Sequence, residues 1–356
     1  MKGRRIRGRR EEVIHSSLRG SVQCESEGVM LQLPRTRVPW VWERLKRAAT
    51  EAWAACGAYE WMALGYLCAA SLLILIFAEN LARPYRLLSV NALVAGIVLT
   101  LCWVQARSAG RKAIQGPSFS AEWWHFWRHW YAHLFFLFCF EELAHLMTLF
   151  TPHWQDARLI AFDHWLTGVN PSVWLEQFAN PARNEFMQLV YLSYFTYLLI
   201  LAGILYVRRE WRAYWSVMVY SMAGYSIGYL IAMFFPIESP WFAMAGWWHA
   251  PLSGGPVTAT VNFLEHFGRV RGAAFPSEHV AGAVAALCGA WKYRRWLFWL
   301  MLPVFFFMCV STIWGRYHYV ADVFAGMLTG TLGYAIGSWI MKREGAVTTA
   351  PELELR

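Results

Sequence analysis

Eight apolar runs, each near the length that crosses a lipid bilayer, constrain this chain more than any single residue does. A helical span needs about 20 mostly apolar residues, because each adds about 1.5 Å against a hydrocarbon core about 30 Å thick. Inside that core no water can satisfy backbone N–H and C=O groups, so runs of this kind fold as helices. They fall at 59–78, 87–106, 126–150, 186–207, 211–235, 277–291, 296–314 and 319–341. Composition agrees: 57% of the residues are hydrophobic, 22 are Trp and only 15% are charged, where soluble domains carry about 25%. The expected fold is all-α, a polytopic integral membrane helix bundle of about eight spans. Residues 1–57 read as a basic tail ending in an amphipathic surface helix. Two N-terminal spans lie within 58–121, a six-span block fills 122–341, and 342–356 is a polar tail.

The net charge of +9 raises nucleic acid as a partner, but the basic residues gather at span ends. With the N-terminus inside, the inner segments hold 24 Lys and Arg and the outer segments 7. That asymmetry places both termini in the cytoplasm and makes the membrane, rather than nucleic acid, the partner of the positive charge. No apolar core follows the first basic residues at signal-peptide distance, so no cleaved signal is expected. Trp42, Leu45, Ala49 and Trp53 recur at helical spacing among Arg44, Lys46 and Arg47, which suits a helix lying on an anionic surface. The 7 cysteines show neither a pairing pattern nor metal spacing.

Two junctions carry chemistry. His318 and Asp322, four residues apart, share one face of a helix, where the carboxylate can hold the imidazole in one tautomer. Upstream, Phe275-Pro276-Ser277-Glu278-His279-Val280 places a second His where Pro and Ser signal a helix start. Under the positive-inside assignment both junctions fall on the outer side, where they can form one site. Either His alone could equally be a structural residue at the interface.

Other polar residues read more blandly. Glu142-x-x-His145, next to Glu141, has the spacing of a di-iron helix motif, but a polar network or head-group contact is expected rather than a metal. Asp163 either contacts a head group or caps a helix. Tyr191, Tyr194 and Tyr197 read as packing and interface anchors. Gly326, Gly330, Gly333 and Gly337 imply close helix packing.

Phe275-Pro276-Ser277-x-His279 followed by Tyr317-His318-Tyr319-x-x-Asp322-Val323-x-Ala325-Gly326 resembles the type 2 phosphatidic acid phosphatase superfamily, and within it the branch of inositol phosphorylceramide synthases. The resemblance spans roughly 126–341 and includes Asp163-His-Trp-Leu-x-Gly168. It implies a six-span catalytic core with two added N-terminal spans. The chain departs from the superfamily's pattern in three places. The Lys-x6-Arg-Pro motif is absent, and the corresponding loop opens Phe235-Pro-Ile-Glu-Ser-Pro-Trp241. Glu278 stands where Gly is usual between Ser and His. Ser311-Thr312 stands where Ser-Arg is usual, a loss the synthase-like branch tolerates. Arg316, Arg269 and Arg271 are the nearby cations that could replace the missing clamp.

The resemblance implies phosphoryl transfer on a lipid phosphate at the outer leaflet, in a plasma membrane if the source is bacterial. Such chemistry needs a nucleophile, a proton donor and positive charge for the phosphoryl oxygens. His318, oriented by Asp322, is the expected nucleophile and would form a phosphohistidine. His279 is the expected acid, and Glu278 would favour its protonated form if their heads approach. The helix start at Ser277 offers N–H groups to phosphate, and Arg316 offers a bidentate contact. No metal and no cofactor are expected. The acceptor is a lipid hydroxyl, giving a phosphotransferase, or water, giving a phosphatase. A non-catalytic lipid carrier or scaffold is the rival from another class.

Overall fold

The computed structural model describes residues 38–115, 119–268 and 271–353, and all regular structure among them is helical. The chain from Lys46 onward is one compact unit, and the candidate site lies wholly in it. In chain order the helices are α1 (Val38–Ala54), α2 (Ala58–Ile76), α3 (Pro84–Gln115), α4 (Phe119–Leu146), α5 (Asp156–Thr167), α6 (Pro171–Trp174), α7 (Pro181–Leu192), α8 (Tyr194–Val207), α9 (Trp211–Phe234), α10 (Pro240–Ala243), α11 (Pro256–Gly268), α12 (Glu278–Tyr293), α13 (Arg295–Trp314) and α14 (Val320–Leu353).

Among the described residues five helices, α2, α3, α9, α13 and α14, are long and apolar enough to cross a membrane, and α7 with α8, bent by 40° where they join, pass the same test only when taken together. Their outward faces carry large apolar side chains, such as Leu93, Phe306 and Leu328, as lipid contact requires. The chain is a multi-pass integral membrane protein. Two expected spans fall short for physical reasons. The 28-residue α4 carries Glu122, Arg128, Glu141 and Glu142, while α12 has only 16 residues. The charge inside α4 is matched: Arg128 Nη1 lies 2.7 Å from Glu60 Oε1, and both are buried. From 342 the chain continues α14, which stays helical to Leu353. The 236–275 segment, expected as loop, contains α10 and α11.

Small residues put α12 at the centre. Val280–Leu287 is buried throughout, with α8, α9, α13 and α14 packed around it. Helices in lipid gain little from the hydrophobic effect and rely on close backbone approach. Gly326 and Gly330 supply it: a Cβ at either would collide with the backbone carbonyl of Ser277 or Ala281. The consequence is local and specific. The N-terminal ends of α12 and α14 are brought so close that the Ser277 N–H donates to the Asp322 carbonyl at 3.0 Å.

Candidate active site

Ser277 is the N-cap of α12, its hydroxyl accepting from the Val280 N–H at 3.4 Å. The first helical N–H groups have no carbonyl four residues back. With those of Ser277 and Val280 engaged, those of Glu278 and His279 have no protein partner among the described residues. His279 sits in this first turn. The turn from α13 to α14 supplies His318, whose N–H donates to the Thr312 carbonyl at 3.1 Å.

The two imidazoles meet directly, with Nδ1 of His279 2.9 Å from Nε2 of His318. On its other side His318 faces two acceptors: the Ala274 carbonyl, 2.9 Å from Nδ1, and Asp322 Oδ2, 3.3 Å from it. The hydrogen-bond network therefore assigns the proton to Nδ1 and leaves the lone pair on Nε2. Asp322 Oδ2 is itself fixed by the Tyr319 N–H at 2.7 Å. Burial pushes the His318 imidazole down to about 4, against the opposing pull of the Ala274 carbonyl and the charge of Glu265. At neutral pH Nε2 is thus an unprotonated nitrogen able to act as nucleophile or base.

Beyond His279 the network continues. Tyr191 Oη lies 3.3 Å from its Nε2 and donates to Glu265 Oε1 at 3.0 Å. The Tyr194 ring meets the His279 ring edge-on at 4.2 Å. Tyr191 and Tyr194 flank the bend between α7 and α8, so the bend aims both rings at one imidazole. The cavity these groups enclose has a volume of about 100 Å³ and is also lined by Phe140, Trp241 and Tyr317.

A layer of carboxylates holds this arrangement from behind. Asp163, on α5, accepts from the Val320 N–H at 2.8 Å and the Ala321 N–H at 3.0 Å, capping α14 from outside its own sequence. Asp156, seven residues earlier on the same helix, accepts from the Glu238 and Ser239 N–H groups and from the Tyr319 hydroxyl. Burial raises the pKa of both groups while these hydrogen bonds oppose it. Of the two roles open to Asp163, capping is the one seen. With the N-terminus of α14 filled by protein carboxylates, the N-terminus of α12 is the one left for an anion.

The family model of the PAP2 superfamily matches residues 157–336, half of the 356-residue chain. The chain belongs to the PAP2 superfamily. No curated protein and no solved structure matches it. The matched segment contains Tyr191, Glu265, His279, His318 and Asp322. As a PAP2 superfamily member the protein is an enzyme of the phosphatase and phosphotransferase type, with a phosphorylated lipid in the membrane as its substrate class.

Against the superfamily's cation clamp, this cavity differs from expectation. Arg316 does not line it. At a left-handed φ of 64° in the turn, Arg316 points its guanidinium to the Ala250 carbonyl, 2.7 Å away, and over the Trp248 ring. It therefore ties the turn to the 236–275 segment. Arg271 is paired with Glu238 and exposed to solvent. Arg269 lies outside the described residues. Glu278 does not approach His279, because consecutive helix residues do not face each other. Its carboxyl presses towards Gly228 of α9, and neither oxygen has a hydrogen-bond partner. Among the described residues the cavity is lined by no Lys or Arg.

Sequence reasoning missed Tyr191, Tyr194 and Glu265 as site residues. The tyrosines looked like interface anchors, and only the bend after Leu192 turns them inward. Glu265 was hidden in an expected loop, although Pro256 with Val257, Val261 and Leu264 carries the signature of a helix start and one apolar face.

Proposed function

We propose that this PAP2 superfamily protein is a lipid phosphotransferase resembling the inositol phosphorylceramide synthases, acting through a phosphohistidine on His318. The observation that supports it most is the His279–His318 contact, with the far nitrogen of His318 held by Ala274 and Asp322. Nε2 of His318 attacks phosphorus, the bond to the leaving oxygen breaks, and His279 supplies the proton that oxygen takes. In the second step an acceptor hydroxyl gives its proton back to His279 and its oxygen displaces His318 from phosphorus. The paired rings occupy each other's reactive nitrogens in the free protein, so the substrate phosphate must enter between them. The N–H groups of Glu278 and His279 are the donors that can meet its oxygens. In this reading 122–341 is the catalytic core and 58–121 an addition. The Lys and Arg asymmetry supports cytoplasmic termini and a cavity at the outer leaflet.

The cavity's size favours a second reading. About 100 Å³ admits a phosphoryl group and a water molecule and leaves little room for a lipid acceptor. Water as acceptor makes the protein a lipid phosphate phosphatase. Purified enzyme given a labelled phospholipid, with and without ceramide or diacylglycerol, separates the two. Transfer predicts a new labelled phospholipid that depends on the acceptor. Free phosphate at one rate, whatever the acceptor, would establish hydrolysis instead.

A further inference from the structure

His318 is held from behind by Ala274 and Asp322, and His279 has a backing of its own. On the side away from His318, Tyr191 Oη lies 3.3 Å from Nε2 of His279 and donates to Glu265 Oε1 at 3.0 Å. The two residues come from different helices: Tyr191 from α7, Glu265 from α11, which packs on α7. Tyr191 is 4% exposed, and its ring stacks on that of Tyr317 with centroids 4.3 Å apart. Tyr317 immediately precedes His318, and its hydroxyl donates to Gln188 Oε1 of α7 at 3.2 Å. The turn that presents His318 therefore also fixes the ring that backs His279.

Counting protons along this line gives each atom a role. A carboxylate only accepts, and a phenol has one hydrogen to give. Tyr191 gives its hydrogen to Glu265, so its oxygen turns a lone pair to His279, and Nε2 of His279 carries the proton that meets it. On the other side, two ring nitrogens 2.9 Å apart need one proton between them, since two facing lone pairs repel. The proton of His318 is already on Nδ1, against Ala274 and Asp322. The shared proton then belongs to Nδ1 of His279, which makes His279 an imidazolium, a donor at both nitrogens. Desolvation disfavours such a charge, and the Glu265 carboxylate, one hydroxyl away, offsets it.

We propose that Tyr191 and Glu265 are positioning residues for the acid, holding Nε2–H of His279 and balancing its charge so that Nδ1 is the atom that moves the proton. This rests on the reading of His279 as the acid of the reaction above. In the first step the Nδ1–H bond breaks as the leaving oxygen takes the proton. In the second the acceptor hydroxyl loses its proton and the Nδ1–H bond forms again. Substrate phosphate separates the two rings, and the bond to Tyr191 then keeps His279 in place. Each histidine thus has a carboxylate behind it: Asp322 directly on His318, Glu265 through a phenol on His279.

Two experiments on the full chain test this. The first uses no substrate: magic-angle-spinning NMR of protein in lipid bilayers, carrying ¹⁵N-labelled histidine, with His279 assigned by its loss in His279→Ala. The wild type should show both His279 nitrogens protonated. Tyr191→Phe keeps the ring and removes the acceptor, so Nε2 should lose its proton. An unprotonated Nε2 in the wild type, or unchanged His279 signals in Tyr191→Phe, would overturn the proposal. The second experiment measures turnover of a labelled phospholipid. Tyr191→Phe and Glu265→Gln should each lower kcat about tenfold or more, the worth of one charge-assisted hydrogen bond, with KM and thermal unfolding little changed. In a His279→Ala background neither should lower it further, because both act through that imidazole. Wild-type kcat in both variants, or an equal loss in the His279→Ala background, would contradict the positioning role. Because the NMR experiment needs no turnover, it can fail while the phosphohistidine reading of His318 stands, and that reading, tested by His318→Ala, can fail while the NMR result holds.

Discussion

Nε2 of His318 lies 2.9 Å from Nδ1 of His279, while Nδ1 of His318 faces the Ala274 carbonyl and Asp322. One imidazole thus has its tautomer fixed from behind and its lone pair turned towards the other. The two residues are 39 apart in the chain. They meet because Gly326 and Gly330 let α14 lie against the start of α12.

The pH dependence follows from burial. His318 is pushed down to about 4, so its reactive nitrogen stays unprotonated well below the usual histidine range near 6.5. The acid limb of kcat/KM should therefore remain flat from pH 7 to about 5 and fall only as pH approaches 4. An acid limb centred near 6.5 would mean that His318 is not the unprotonated nucleophile. The sign for stability is the same. Between about 6.5 and 4 the unfolded chain binds a proton that the folded chain refuses, so this residue's contribution to stability is lost as pH falls through that window.

Asp163 should act through position rather than chemistry. Its two oxygens cap the helix that begins two residues after His318. Asp163→Ala should cost about 1–2 kcal/mol, the upper part of the range for a lost N-cap, and should lower turnover with little change in KM. Asp163→Asn, which keeps one acceptor, should recover part of both. Thermal unfolding in detergent alongside steady-state kinetics measures this, and wild-type stability in Asp163→Ala would refute the capping role.

Helix approach is testable at Gly326. A Cβ there meets the Ser277 carbonyl and Val280, so Gly326→Ala should force α14 away from α12 and cost about 1–3 kcal/mol, as overpacking does. Activity should fall with it, since Ser277 and Asp322 are bonded across that contact. Gly203→Ala, with open space around it, is the control and should change neither. Equal behaviour of the two variants would contradict the packing account.

Much of this was legible in the chain, and the exceptions share a cause. Apolar run length fixed the long spans because the bilayer sets it, and His318 with Asp322 was legible because four residues is one helical turn. Charge placement was less legible. Arg316 is close to His318 in sequence, yet a left-handed turn sends it to Ala250 and Trp248. Glu278 adjoins His279 and still points to another helix. Tyr191 and Glu265 reach the histidine only through the bend after α7 and the packing of α11 on α7, contacts between residues 74 apart that no local pattern records.

The central claim is that His318 takes the phosphoryl group. Protein turned over with phosphorus-labelled phospholipid, then quenched, should carry an acid-labile, base-stable label. His318→Ala should carry none and lose turnover, while Asp322→Asn, which disturbs the tautomer, should lose several powers of ten by analogy with the catalytic triad. His279→Ala should slow formation of the label by about 10²–10⁴-fold, the worth of a positioned proton donor. A well-expressed His318→Ala protein that keeps wild-type turnover would contradict the account and leave the His–Asp pair a structural one.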